Sequence, residues 1–172
     1  MKTVTNTYNV YTFEELSEEA KEEARNKWRE SEEYPWWDES NDTMKAFAEA
    51  FNVTIKDYEI SLYCRSYIRF EVENEELKGL RLWKYLLNNY SHLLKNDSYL
   101  TGYCMDDDIM KPIRDFMKHP CLTVTLYSLM QSCFNSFIKS VIADMEYQQS
   151  DEYIDETIML NEYDFLENGC MA

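Results

Sequence analysis

Residues 120–138 carry no charged side chain, in a chain that is 29% charged. Within and beyond that run, Leu122, Leu126, Leu129, Met130, Cys133, Phe134, Phe137, Ile138, Val141 and Met145 recur at helical spacing. The pattern predicts a long helix over 121–147 with an apolar face too broad for one neighbour to cover. Thr123, Thr125, Ser128, Gln131, Ser132, Asn135 and Ser136 interrupt the run. That polarity favours a buried core helix over a membrane span.

The other elements must supply the cover. Val4, Tyr8 and Val10, with Asn6, predict a strand over 3–11. Ser17 caps a helix over 18–30, where Glu18 and Glu19 meet the positive end of the dipole and Leu16, Ala20, Ala24 and Trp28 form the apolar stripe. A second helix follows Pro35, with Trp37, Met44, Phe47, Ala48 and Phe51 on one side. Strands are expected over 53–63 and 66–73. The apolar parity switches between Ile55 and Tyr58, which requires a bulge near Lys56 and Asp57. In the second strand Ser66, Ile68, Phe70 and Val72 share one face; Arg65, Tyr67, Arg69 and Glu71 share the other.

A helix over 75–94 would use Leu77, Leu80, Trp83, Leu87, Tyr90 and Leu94. A shorter one over 106–118 stops before Pro120. Ser150 caps a last helix with Ile154 and Ile158 inward, and Tyr163 and Phe165 suggest a closing strand. The expected architecture is one α+β domain over 1–172. It has a small, mostly antiparallel sheet of about four strands, five to six helices, and a long buried helix near the C-terminus.

Charge narrows the function. The chain holds 33 acidic and 17 basic residues, net −16. Residues 1–60 are net −8, 61–100 net +1 and 101–172 net −9. Phosphate backbones are repelled by such a surface, whereas a basic protein partner is attracted and oriented. The five cysteines form no Cys-x-x-Cys pair, and no charged stretch followed by an apolar one opens the chain. A reducing cytoplasm is the expected setting, with no secretion signal and no membrane.

Catalytic signatures are few. His92 and His119 lie in no triad motif, and Cys121 and Cys133 read as buried structural residues. Gly79, Gly102 and Gly169 stand alone, so there is no phosphate-binding loop. No cofactor is expected. Asp106, Asp107 and Asp108 read as a capped helix start, with a divalent-metal site as the sharper alternative. Asp151, Glu152, Asp155 and Glu156 form an acidic flank on the last helix. Glu32, Glu33, Tyr34, Trp36, Asp38 and Glu39 mix acids with aromatics, as interaction surfaces do. Trp37 is expected in the core. Arg65, Tyr67, Arg69, Arg81 and Lys84 interleave bases with an aromatic ring and could contact RNA.

The run from Val10 to Trp28 and the stretch from Ser136 to Gly169 resemble the opening and the C-terminal signature of a family of small phage-encoded proteins labelled antitoxin-like. The likeness covers about the first 60 residues and the last 35. Relatives carry a glycine-rich hairpin turn after the second strand, where this chain has Ile60 to Phe70 without glycine. The resemblance implies a phage context in the cytoplasm of a bacterial host and, with the acidity, an anti-CRISPR or other anti-defence role. The leading expectation is a non-enzymatic inhibitor of a basic host nucleic-acid-handling effector, above all Cas9 with its guide RNA. Its binding surface would be the acidic–aromatic junction, ahead of the acidic flank on the last helix. The alternatives are an antitoxin-like partner of a phage toxin, and a metal-assisted nuclease or guide-RNA-processing factor built on Asp106, Asp107 and Asp108.

Overall fold

The computed structural model describes residues 1, 7–31, 33–95 and 99–172. The chain divides into two compact units, residues 1–35 with 145–172, and residues 36–144. The fold is α+β, with six helices and four strands in two antiparallel pairs among the described residues. Among the described residues no helix is long and apolar enough to cross a membrane.

The first unit holds β1 (Tyr11–Thr12), a 3₁₀ turn (Phe13–Glu15), α1 (Glu18–Ser31), α6 (Asp151–Leu160) and β4 (Asp164–Phe165). Strand β1 pairs with β4, Tyr11 opposite Phe165. The expected strand over 3–11 is therefore corrected: residues 7–10 are irregular, Tyr8 and Val10 are exposed, and Val4 and Asn6 lie outside the described residues. The Ser17 hydroxyl accepts from the Ala20 amide at 3.2 Å, which starts α1 as expected. Phe13, Leu16, Ala20, Ala24, Ile154, Ile158 and Phe165 form the core of this unit.

Gly169 closes that core. Its φ is +80°, and a Cβ built there would lie 2.1 Å from the Ala20 carbonyl oxygen. The clash is with helix backbone, which cannot rotate aside. Gly169→Ala is expected to destabilise the first unit by about 3 kcal/mol, from left-handed strain plus overpacking. A melting curve superimposable on that of the wild type would refute this packing.

The second unit holds α2 (Trp37–Ala50), β2 (Val53–Glu59), β3 (Tyr67–Val72), α3 (Gly79–Tyr90), α4 (Met105–Lys118) and most of α5 (Leu126–Gln148). β2 and β3 pair with a register shift between Ile55 and Asp57, where the parity switch placed a bulge. The connection between them needs no glycine. The Ser66 hydroxyl accepts from the Ser61 amide at 3.0 Å and donates to the Ser61 carbonyl at 3.1 Å. Ile68 and Phe70 point into the core, and Arg69 and Glu71 point out.

Helix α5 begins at Leu126, five residues later than its apolar pattern suggests, and Leu122 is 70% exposed. Thr125 and Ser128 explain the start. The Ser128 amide donates to the Thr125 hydroxyl at 3.1 Å, and the Thr125 amide donates to the Ser128 hydroxyl at 2.9 Å. Helix α3 is likewise shorter than expected. The Leu77 and Glu75 carbonyls accept from the Leu126 and Tyr127 amides, so residues 75–78 lie along the entry to α5. Its buried stripe is Leu82, Leu86 and Tyr90, while Leu80 and Leu87 of the expected stripe are exposed. Phe47, Phe51, Phe70 and Phe134 meet at the centre of the unit, with the Phe134 ring 5.4 Å from Phe47 and 5.0 Å from Phe70.

Candidate functional site

The acidity is concentrated in the first unit, which has 17 acidic and 5 basic residues, net −12, against 16 and 12 in the second. All four of its described bases are already engaged. Arg25 grips Asp155 with two hydrogen bonds, Nε to Oδ1 at 2.7 Å and Nη2 to Oδ2 at 2.6 Å. That grip is the main reason the Arg25 pKa lies above its ordinary value. Arg29 pairs with Asp151 and donates to the Gln149 carbonyl. Lys21 pairs with Glu18, and Lys27 with Glu23.

These pairs sort the expected acidic flank on α6. Asp151 and Asp155 face α1 and hold the two helices together, so neither offers a free carboxylate. Glu152 and Glu156 are exposed and pair with no described base. Glu14, Glu19, Glu162 and Asp164 are exposed in the same state. Carboxylates without internal counter-ions project the strongest field, since nothing nearby cancels them.

The expected acidic–aromatic junction divides. Glu32 lies outside the described residues; Glu33 is exposed and Tyr34 half-buried, both in the first unit. Trp36, Asp38 and Glu39 belong to the second unit. Trp36 is 45% exposed at the start of α2, its ring centroid 6.4 Å from that of Tyr103, with Asp38 and Glu39 exposed in the first turn. Trp37 is half-buried. An aromatic held on one side and open on the other can lose its remaining water to a partner at little entropic cost.

Asp106 is buried. Its carboxylate accepts from the amides of Leu100, Thr101 and Gly102 at 2.8–2.9 Å and from the Thr101 hydroxyl at 3.0 Å. Its oxygens are thus spent on folding the 99–104 segment over the start of α4. Asp107 is exposed and pairs with Arg114 at 2.6 Å; Asp108 is half-buried. The three carboxylates do not converge. Among the described residues no group of three His, Cys, Asp or Glu is placed to hold a metal ion.

The cysteines divide too. Cys133 is buried, and burial pushes its thiol pKa up. Cys121 is exposed, a correction to the sequence reading, and the Thr123 hydroxyl 3.2 Å away draws its thiol pKa down.

Arg65, two residues before β3, lines one groove with Tyr67 and Arg69 of the strand. Arg69 sits 4.9 Å over the Tyr67 ring, and Tyr67 donates to Asp57 at 2.9 Å. Arg81 and Lys84 are exposed on α3 and do not line the same groove. The sequence reading missed Tyr127, Gln131 and Asn135, which do line it. Their i, i+4 spacing on α5, opposite the apolar stripe, is the signal that could have found them. No protein-family model matches this chain, and neither the curated proteins nor the solved structures give a match.

Proposed function

We propose that this chain is a non-enzymatic inhibitor, of phage anti-defence type, that binds a basic nucleic-acid-handling protein through the acidic surface of its first unit. One observation carries the reading: a unit of net −12 whose described bases are all consumed in ion pairs. Such a surface presents carboxylates to a cationic channel as a nucleic acid presents phosphates. Exposed Trp36 on the second unit is a separate candidate anchor, argued by itself from its desolvatable contact area. The partner of choice is a Cas9-type effector, whose channel is positively charged along the guide-bearing duplex.

The test is surface-captured Cas9 with guide RNA, with association and dissociation followed across a salt series. Glu152→Lys with Glu156→Lys is expected to slow association about tenfold at low salt and much less at high salt, because steering is screened. Trp36→Ala should leave association nearly unchanged and speed dissociation about tenfold. Asp155→Lys is a poor probe of the surface, since it breaks the Arg25 pair. Binding that ignores both salt and the charge reversals would sink the proposal.

A further inference from the structure

Strand β3 is an open edge. It pairs with β2 on one side, and among the described residues no strand pairs with it on the other. Every second residue of an antiparallel edge strand turns its N–H and C=O outward, ready to pair. Beside that edge runs a groove of about 400 Å³ between Tyr67–Phe70 and the Tyr127, Gln131 and Asn135 side of α5. A strand edge flanked by a helix is the geometry that accepts an extended peptide as an added strand.

The groove is held in shape. The Tyr127 ring stacks on Phe70 at 4.9 Å with 23° between planes, and its amide is tied to the Glu75 carbonyl. Gln131 donates to Asn135 at 3.2 Å. The added strand would alternate its side chains between two environments. On the solvent side it meets Arg65, Tyr67 and Arg69. On the helix side it meets Tyr127, Gln131 and the rim of Phe70.

The arginines decide the occupant. Arg65 is exposed, and the only ion pair of Arg69 among the described residues is a 3.6 Å contact with exposed Asp57. Such a pair contributes little and exchanges readily for a better carboxylate. A phosphate backbone fits less well. It carries no alternating N–H and C=O groups to pair with the open edge of β3.

We infer that the groove between β3 and α5 takes an extended segment of a partner protein by strand addition, with carboxylates at alternate positions over Arg65 and Arg69 and apolar side chains between them over Tyr127. This binding is independent of the acidic first unit and adds a second contact of opposite charge preference.

Two libraries of acetylated hexapeptides test it, matched to the length of β3. One fixes Glu at alternate positions, the other Lys, with apolar residues varied between. Single-stranded poly-U is run beside them. Glu peptides should be captured in preference, and a captured peptide should shift the backbone amide resonances of residues 67–72. Methylating its alternate backbone nitrogens should weaken binding about tenfold or more, because strand pairing needs those donors. Arg65→Glu with Arg69→Glu, both at exposed sites, should weaken it about tenfold while leaving the melting curve unchanged. Equal capture of the Lys library, capture of poly-U in place of peptide, or shifts that miss β3 would each overturn the inference. So would no capture at all, which would leave the two arginines as guards that keep strands off the edge.

Discussion

Phe134→Asp is expected to abolish the folded second unit. The Phe134 ring has no exposed surface and sits between Phe47 and Phe70. Removing it forfeits about 3–5 kcal/mol of aromatic packing. The carboxylate that replaces it would lie against the Phe47 and Phe70 rings, and an unpaired buried charge costs several kcal/mol more. Together these match the whole stability of an ordinary domain, about 5–15 kcal/mol. Far-ultraviolet circular dichroism and hydrogen exchange at residues 36–144 provide the check. A variant with native exchange protection in α5 would show that this helix is not the centre of the unit. Phe134→Leu, which keeps most of the apolar volume, should remain folded and lose only about 1–2 kcal/mol.

That centre is legible in the sequence because it is written in periodicity. From Leu126 to Val141 every expected position of α5 is buried. Its start is not written there. Leu122 fits the stripe, but Thr125 and Ser128 exchange hydrogen bonds that define a helix start, and Leu122 falls outside it. Helix α3 shows the same limit. It has apolar residues on more than one stripe, and only packing selects Leu82 and Leu86 over Leu80 and Leu87.

The candidate surface divides along similar lines. Net charge is a property of composition, so an acidic surface could be expected without any structure. Which carboxylates remain free depends on contacts between distant segments. Arg25 and Asp155 are 130 positions apart, and nothing local marks them as a pair. Glu152, three positions before Asp155, is the same chemistry with no partner among the described residues. The strand-edge groove was half legible: Arg65, Tyr67 and Arg69 stood out, but their neighbours on α5 come from some sixty residues further along the chain.

Asp106→Ala is expected to cost about 3–5 kcal/mol, through folding and not through chemistry. Three backbone amides, those of Leu100, Thr101 and Gly102, converge on one carboxylate. Hydrogen bonds to a charged group are worth about 1.5–3 kcal/mol each, and amides left buried without an acceptor add their own penalty. Opening of the 99–104 segment to water returns part of that loss. Asp106→Asn should fall between the wild type and Ala, since it keeps one acceptor oxygen but turns an NH₂ toward donors. The consequence for function is direct. A metal-assisted nuclease and a structural carboxylate both predict lost activity in Asp106→Ala, so that variant alone discriminates nothing. Asp107 separates them. It is exposed, paired only with Arg114 among the described residues, and Asp107→Ala should cost no more than about 1 kcal/mol. Incubation of guide RNA with the protein and Mg²⁺ or Mn²⁺ is therefore read in both variants, each with its melting curve. Cleavage that EDTA stops and that Asp107→Ala removes without lowering the melting temperature would establish an enzyme. Intact RNA throughout, with a large melting shift confined to Asp106→Ala, assigns this acidic run to the construction of α4.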